Sequence, residues 1–153
     1  MIGKLNNAEI EEVISSQVVG RIGCHHDGTT YVVPISYAYD GENIYGITRE
    51  GMKLQIMRRN PKVCFEIEDM KSMSNWRTVI TWGIFEEINN TPRRDKALEL
   101  LLNRVLPLDS SKTTHISPEW PFAPENLSSI EGVVFRIFIT EKTGRFERES
   151  VTK

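Results

Sequence analysis

The segment TTYVVPISYAYDGENIYGI, residues 29 to 47, predicts the fold because its side chains alternate with a period of two. In an extended strand, alternate residues share one face, and here that face carries large apolar and aromatic side chains: Tyr31, Val33, Ile35, Tyr37 and Tyr39. Asp40-Gly41 is typical of a tight turn between antiparallel strands. We therefore expect two paired strands here, within a β-rich fold.

The alternation continues on both sides of this hairpin. Four further strands are predicted, in residues 18–26, 62–69, 75–88 and 131–146, and the first of them ends in a turn at His26-Asp27-Gly28. Six mostly sequential strands with few helices between them favour an α+β fold built on an antiparallel barrel. We expect residues 1–153 to form a single domain.

Helices are predicted near the N-terminus and after the fifth strand. Residues 6–16 have apolar side chains three and four positions apart, and Asn6 or Asn7 would cap this helix. A second helix is expected in residues 91–106, where Thr91-Pro92 is a start signal.

The composition is that of an ordinary intracellular protein. The net charge is -2 and the pI is about 6.0, which argues against general affinity for nucleic acids or membranes. The two cysteines, Cys24 and Cys64, form no CxxC pair, so neither a zinc site nor a disulfide framework is indicated. Neither an export signal nor a membrane span is visible, and we expect a cytoplasmic protein.

A basic segment stands out against this acidic background. YGITREGMKLQIMRRNP, residues 45 to 61, contains Arg49, Lys53, Arg58 and Arg59. If Thr48 caps a helix that runs from about Arg49 to Asn60, then Arg49 and Lys53 lie one turn apart at its N-terminus. Free N–H groups, the helix dipole and the space left by a glycine at position 51 would together bind a phosphate.

An ordinary surface helix explains the same basic segment equally well. Its apolar residues Ile56 and Met57 would then face the core, and its cations would face water. Arg58 and Arg59 fit that interpretation in either case, because cations at a helix C-terminus are favourable without a ligand.

Pro34 interrupts the first strand of the hairpin. Proline cannot donate a hydrogen bond to a neighbouring strand, so we expect it at a sheet edge or a bulge. Either a plain edge strand or a flat ligand held against that edge explains its position.

Residues 20–69, followed by residues 75–88, closely resemble the flavin-binding split barrels related to pyridoxamine 5'-phosphate oxidase. The similar order is a strand, a Gly-x-Lys helix, an Asn-Pro-x-Val strand and a Trp-Arg-x-Val strand. The most similar branch is that of the 5-nitroimidazole-resistance proteins. The resemblance spans about residues 8 to 145 and implies a six-stranded antiparallel split β-barrel with flanking helices.

The resemblance also implies a homodimer with flavin, usually FMN, at the subunit interface. One group of residues would line the isoalloxazine ring and ribityl chain, largely through backbone atoms: Val33, Pro34, Ile35, Ser36, Ile47 and Thr48. Arg49, Met52 and Lys53 would surround the phosphate. Trp76, Arg77 and Thr78 would approach the ring from the partner chain.

Three positions depart from the family pattern. Relatives often carry histidine where this chain has Ile47, which can neither donate a hydrogen bond nor transfer a proton. Met52 stands where true pyridoxamine phosphate oxidases have a cation, and the C-terminal Arg-x-His substrate motif is absent. We therefore do not expect pyridoxamine phosphate oxidation, and no catalytic residue is assigned.

Other candidate residues have simpler interpretations. His25 and His26 would point to opposite faces of a strand, so a shared metal ion is not expected. His115 lies in a long Pro- and Ser-rich segment, where it is either a solvated side chain or a proton donor near the flavin. Cys64 is expected to be a buried thiol, and core or dimer packing explains Trp82 without a ligand.

These observations predict a flavin-dependent oxidoreductase that takes electrons from a nicotinamide donor and reduces a small acceptor, such as a nitroaromatic compound or a quinone. FAD is the alternative to FMN. The competing hypothesis is a flavin-binding or haem-binding sensor or carrier without turnover. A nucleic-acid module using residues 49–62 is a third, weaker hypothesis, because that segment lacks interleaved aromatic residues.

Overall fold

In a computed structural model of the chain, residues 1–104 and 126–150 are described. They form eight strands: β1 (Ile2–Lys4), β2 (Val19–His26), β3 (Thr29–Ser36), β4 (Ala38–Tyr39), β5 (Asn43–Thr48), β6 (Lys62–Ser72), β7 (Asn75–Glu87) and β8 (Val133–Glu147). Three α-helices accompany them: α1 (Asn7–Ser16), α2 (Met52–Arg59) and α3 (Thr91–Leu102). A short 3-10 helix spans Leu127–Ser129.

The strands form one antiparallel sheet in the order β3-β2-β6-β7-β8-β5-β4, with β1 paired to β8. The α+β class is confirmed, and each of the six predicted strands is present. The two additional strands are short: β1 has three residues, and β4 is the end of the predicted second strand, which breaks at Tyr37.

The two ends of the sheet approach each other without pairing as a continuous ladder, which gives the barrel its split. The two end strands of the sheet, β3 and β4, are joined by the single residue Tyr37. A Cβ placed on Gly46 of β5 would lie 3.3 Å from Cγ2 of Ile35 on β3. Residues from β3 and β5 are therefore neighbours, although they are distant in the order of the sheet.

The turns follow the local predictions. Asp27 and Gly28 have positive φ angles of 50° and 75°, and they join β2 to β3. Gly41 has φ of 99° in the turn between β4 and β5, where the Asp40 carboxylate accepts hydrogen bonds from two backbone amides. A β-carbon is strained at such angles, which accounts for the glycines.

The interior is filled from both helices and strands. Val13 and Ile14 of α1 are fully buried against the barrel, together with Phe65, Phe135 and Ile137 of the sheet. Asn6 caps α1 as expected, since its side chain accepts from the Glu9 amide at 2.9 Å. The Glu9 carboxylate in turn accepts from the Asn6 amide.

A second, smaller apolar cluster lies beneath α3. It joins Ala97 and Leu98 of that helix to Tyr45, Ile130 and Val134. Asn90 caps α3, which begins at Thr91 as predicted and ends at Leu102.

The start of α2 was predicted wrongly. Thr48 is not its N-cap, because Thr48 remains in β5 and pairs with Val133 of β8. Gly51 is the N-cap, and the helix begins at Met52. Arg49 therefore lies outside the helix, and the expected one-turn spacing from Lys53 does not occur.

Within the two described ranges, no helix is both long enough and apolar enough to cross a membrane.

Candidate functional site

The outer face of the barrel carries an unusual number of exposed apolar side chains. On β7, Ile80, Trp82 and Ile84 alternate with buried residues and point outward, and Trp82 is 40% exposed. Val32 of β3 and Phe138 of β8 are also exposed, at 61% and 45%. We call Val32, Ile80, Trp82, Ile84 and Phe138 the outer apolar face. Because Trp82 is exposed, it does not belong to the core of its own chain, so the first of its two interpretations, core packing, is wrong.

A cleft of about 480 Å³ opens on this face. Its walls come from β2, β3, β6, β7 and β8, and its lining includes Val32, Trp82 and Ile84 of the outer apolar face. Cys64 also lines it and is only partly buried, so the expectation of a buried thiol is wrong for this residue. The cleft is mainly apolar, and such clefts are the usual sites for flat organic ligands.

Two glycines and a bulge shape the cleft. A Cβ on Gly23 would lie 2.6 Å from the sulfur of Cys64, and one on Gly83 would lie 2.7 Å from Cγ2 of Ile137 and even closer to a backbone oxygen. The register between β7 and β8 shifts between Trp82 and Gly83, leaving Thr140 outside the ladder. The hydroxyl of Thr140 donates to the Trp82 carbonyl at 3.2 Å. Bulges of this kind often lie beside functional sites, where they redirect a side chain.

The four predicted ligand residues on β3 alternate between the two faces. Val33 packs against the core and Ile35 is buried, so only their backbone atoms can face a ligand outside the barrel. Pro34 is exposed and Ser36 partly buried, on the face that Val32 shares with the cleft. β3 is an edge strand, as the proline predicted.

Ile47 and Thr48 at the end of β5 contribute packing rather than exposed polar groups. Ile47 packs against the cluster beneath α3. A Cβ on Gly132 would lie 3.0 Å from Cγ1 of Ile47, so the loop before β8 passes close to it. Thr48 is buried, and its hydroxyl donates to the Arg49 carbonyl at 3.3 Å.

The beginning of α2 has the features of an anion site. Gly51 provides no side-chain cap, and a Cβ at this position would meet nothing within 4 Å among the described atoms. The first amides of the helix are therefore available as donors. Arg49 is exposed and Lys53 partly buried, and neither forms an ion pair with any residue in the described ranges. Met52 is exposed beside them.

The other two cations of the basic segment differ from each other. Arg58 donates to both carboxylate oxygens of Glu50 at 2.7 Å and to Glu87 at 2.8 Å. This bidentate pair links the end of α2 to the turn that precedes it. Arg59 is exposed at the last position of the helix.

Lys53 is close enough to Cys24 of β2 for its charge to act on that thiol. Burial raises the pKa of the Cys24 thiol, the nearby Cys64 raises that pKa further, and the positive charge of Lys53 offsets part of the effect. Since Cys24 lines the cleft, the Lys53 ammonium is within electrostatic reach of the cleft wall.

Trp76, Arg77 and Thr78 each have a partner within their own chain. The Trp76 indole donates to Glu147 at 3.0 Å, and the Thr78 hydroxyl donates to Glu66 at 2.9 Å. Arg77 forms ion pairs with carboxylates of β6 and α1. Any contact of these side chains with a ligand would compete with, or add to, these bonds.

Arg104 is a residue of this region that the sequence did not reveal. It follows α3, and its guanidinium donates to the hydroxyl of Ser36 and, at 2.9 Å, to the carbonyl of Tyr37. The contact joins residues 68 positions apart, so no local pattern could have indicated it.

The histidine pair forms no metal site in the described part of the chain, where no group of three or more potential ligands is found. His115 and the aromatic residues Trp120 and Phe122 lie outside the described residues.

Sequence and structure comparisons place this chain among known proteins. A model of the family described as pyridoxamine 5'-phosphate oxidase matches residues 6–146. The chain belongs to this family. Among curated members, an uncharacterized protein of Rhizobium meliloti is 32% identical over 87 residues, which cover 57% of this chain and 58% of that relative. The match thus spans little more than half of that protein's length.

Solved structures of this family share the whole described fold. A FAD-binding protein from Mesorhizobium loti is 31% identical, with a TM-score of 0.73, over 95% of this chain and 98% of that protein. A candidate 5-nitroimidazole antibiotic resistance protein from Bacteroides thetaiotaomicron has a TM-score of 0.71 at 18% identity, over 95% and 87% of the two chains. The second similarity concerns the fold alone.

The fold of this pyridoxamine 5'-phosphate oxidase family member brings most of the expected site residues into one region. Those on β3 and β5 are neighbours across the split of the barrel, and the start of α2 follows β5 after a short connection. Trp76, Arg77 and Thr78 lie apart from them, on β7. Their proposed role therefore depends on a second chain.

Proposed function

We propose that this protein is a flavin-binding oxidoreductase that binds FMN, with FAD as the alternative cofactor. One observation carries the proposal: the uncapped start of α2 carries two cations, Arg49 and Lys53, that lack carboxylate partners in the described ranges. The flavin phosphate would bind there, and the ring would lie along the edge of β3. The 31% identical relative, a FAD-binding protein, supports a flavin as the ligand.

The residues at the start of α2 fit a flavin phosphate. The open position at Gly51 admits an oxygen close to the backbone, and the amides of the first turn point toward it. Lys53 and Arg49 supply charge, in contrast to Arg58, which Glu50 and Glu87 already neutralise. Met52 contributes no charge, so Arg49 takes a larger share of phosphate binding.

The edge of β3 fits the rest of the cofactor. Pro34 leaves this edge without one amide donor, and Val33 and Ile35 point inward, so the backbone from Val33 to Ser36 can follow a flat ligand. Ile47 and Thr48 would flank the ligand from β5. The flavin, when bound, supplies the electron-transfer chemistry, and the protein supplies binding, orientation and exclusion of water.

The outer apolar face supports the proposal of a homodimer. Monomeric proteins rarely expose a contiguous patch that includes a tryptophan, two isoleucines, a valine and a phenylalanine. A second copy that covers this face would bury Trp82 and bring its own Trp76, Arg77 and Thr78 toward the cofactor. To donate to a ligand, the Thr78 hydroxyl would have to give up its hydrogen bond to Glu66 of its own chain.

For the reaction, we propose transfer of electrons from a nicotinamide donor to a small acceptor such as a nitroaromatic compound or a quinone, in the cytoplasm. Ile47 packs in an apolar cluster, so it serves neither as a proton donor nor as a hydrogen-bond partner. No residue of the described ranges is assigned to proton transfer. The nicotinamide donor would supply a hydride, and the second proton that the reduced acceptor takes up would come from water.

The first experiment is a visible absorbance spectrum of the purified protein, with mass spectrometry of the small molecule released on denaturation. A flavin spectrum with the mass of FMN or FAD supports the proposal. A colourless protein that does not take up added flavin contradicts it. Nicotinamide oxidation by the loaded protein, well above that of free flavin, then tests the enzymatic part.

The alternative function is a flavin- or haem-binding sensor or carrier without turnover. The observation in its favour is Ile47, because the site offers an apolar side chain where relatives often carry histidine. A haem spectrum, or a flavin-loaded protein that oxidises no nicotinamide, would favour this alternative.

A further inference from the structure

The Arg104 guanidinium reaches from the end of α3 to the end of β3. Its Nε donates to the carbonyl of Leu101 at 2.8 Å, and its Nη1 donates to the Tyr37 carbonyl at 2.9 Å and to the Ser36 hydroxyl. All three acceptors are neutral. The cation is thereby fixed in position without being neutralised.

The third nitrogen of this guanidinium lacks an acceptor. Nη2 of Arg104 is buried, and no residue in the described ranges accepts a hydrogen bond from it. No carboxylate in those ranges pairs with Arg104 either, whereas Arg77 and Arg136 face Asp69 and Glu86 at 2.6 and 2.7 Å. A buried donor without a partner, and a buried charge without a counter-charge, are both costly. A bound water, an ion or a ligand is the usual partner of such a group.

Arg104 remains a cation in this position. Burial lowers its pKa to about 10, which still leaves the guanidinium protonated at neutral pH. The missing partner is therefore an anion or a strongly polar oxygen rather than a donor.

The location of Ser36 identifies the side from which that partner comes. Ser36 ends β3 on the face that Val32 shares with the cleft. Because its oxygen accepts from Arg104, the hydroxyl hydrogen is free to donate to a third group. Two donors, one from each residue, are thus available to one oxyanion.

We propose that Arg104 and Ser36 form an oxyanion-binding site, in which Nη2 of Arg104 and the Ser36 hydroxyl donate to a phosphate or carboxylate of a bound ligand. This anion is either the flavin phosphate, bound here instead of at the start of α2, or the anionic group of a second ligand, such as the substrate, that binds next to the flavin. The inference deepens the proposed function, on which it rests for the identity of the ligand, but the anion site itself does not require flavin.

The test is thermal unfolding of the flavin-free protein in increasing phosphate at constant ionic strength. We compare the wild type with Arg104→Gln, Lys53→Ala and Arg94→Gln. Arg94 is the matched control, because this α3 arginine donates to a backbone carbonyl, that of Ile130, and has no contact with β3. Phosphate that binds the folded state stabilises it by RT ln(1 + c/Kd), where c is the phosphate concentration, so tighter binding gives a larger increase in melting temperature.

We expect Arg104→Gln to weaken phosphate binding by about 10- to 100-fold, as for loss of a charged hydrogen bond. Arg94→Gln keeps the wild-type increase in melting temperature. Phosphate should still raise the melting temperature of Lys53→Ala, and this increase should disappear in the double variant that also carries Arg104→Gln. If Arg104→Gln keeps the full increase, both alone and in the Lys53→Ala background, the proposal is wrong.

The source of the anion is identified with FMN and riboflavin, which differ by the phosphate. If Arg104 binds the cofactor phosphate, Arg104→Gln weakens FMN binding but not riboflavin binding. If it binds a second ligand, the FMN-loaded wild type is still stabilised by phosphate and the FMN-loaded variant is not. Failure of the chain to bind any flavin contradicts the proposed function, while the phosphate titration still decides the role of Arg104.

A folding control accompanies these measurements. If Arg104→Gln does not fold, Arg104→Lys replaces it in the test. Lysine keeps the positive charge but lacks the second terminal nitrogen, so we expect phosphate to raise its melting temperature by less than that of the wild type. An increase equal to that of the wild type would show that Nη2 is not needed, and would overturn the proposal.

Discussion

Asp69 of β6 and Arg77 of β7 are directly opposite each other in the sheet, and Oδ2 of Asp69 accepts from Nη2 of Arg77 at 2.6 Å. The bond to Arg77, assisted by Lys71, lowers the pKa of the Asp69 carboxyl from its ordinary value of 3.8. Asp69 is buried. The pair therefore fixes one of the residues expected near the cofactor.

Asp69→Asn should reduce the free energy of unfolding at pH 7 by about 1 to 3 kcal/mol, because a charge-assisted bond is lost. The folded-state pKa lies below 3.8, so the stabilisation is present above pH 3.8 and is lost as the pH falls through the folded-state pKa. Urea unfolding across pH 2 to 7 measures this. The control is Glu68→Gln, whose exposed pair with Arg21 should contribute little. An unfolding difference for Asp69→Asn that does not depend on pH would contradict the assignment.

Lys53→Ala should weaken flavin retention by about 10- to 100-fold, since it removes a charged partner of the proposed phosphate. Arg59→Ala removes the same charge from the other end of α2 and should have little effect. Fluorescence titration with FMN compares the two variants. Equal losses would argue that overall charge, not the start of the helix, attracts the cofactor.

Trp82→Lys should shift the protein toward the monomer, because it places a charge at the centre of the outer apolar face. Met73→Lys is the control, since Met73 is 84% exposed in the turn between β6 and β7, away from that face. Sedimentation velocity gives the oligomeric state. A wild type that sediments as a monomer when loaded with flavin would exclude the two-chain site.

Ile47→His should lower the stability by about 1 to 3 kcal/mol, because a polar ring would replace an aliphatic side chain packed against the cluster beneath α3. Ile47→Leu preserves the apolar character and should cost less than about 1.5 kcal/mol. Thermal unfolding compares the variants. If Ile47→His is as stable as the wild type, the side chain has room to reach the ligand, and the family histidine could be restored here.

Gly83→Ala should be destabilising by about 1 to 3 kcal/mol, because the added methyl group would meet the side chain of Ile137 and the backbone of β8. Gly51→Ala should change the stability of the flavin-free protein by less than about 0.5 kcal/mol, since its surroundings are open and its φ of 173° suits any residue. The flavin affinity of Gly51→Ala is a separate measurement, and it should fall if the phosphate approaches the backbone there.

Much of the fold could be predicted because its signals are local. The period of two in residues 29–47 and the turns at Asp27-Gly28 and Asp40-Gly41 depend on the backbone preferences of a few adjacent residues. The cap of α1 by Asn6 needs only Glu9, three positions away. The start of α2 was wrong because a distant strand, β8, holds Thr48 extended.

The candidate site could be predicted only in part. Resemblance to the family predicted ligand residues on β3, β5 and α2. Of these elements, β3 and β5 do meet across the split, and the ligand contacts stay a prediction. Periodicity correctly grouped Ile80 with Trp82, but it could not tell whether that face was the inner or the outer one. The contact of Arg104 with Ser36 was not predicted at all.

The amino-acid sequence by itself determined the strands, the turns, the cap of α1 and the family, because these depend on neighbouring residues and on motifs with a fixed order. Only the tertiary structure decided which face of β7 is exposed, which cations are neutralised and where Arg104 lies. Burial and charge pairing depend on residues that are distant in the chain, such as Arg58 with Glu87 and Arg104 with Ser36. Those long-range pairings distinguish the cations available to a ligand from the cations that hold the fold together.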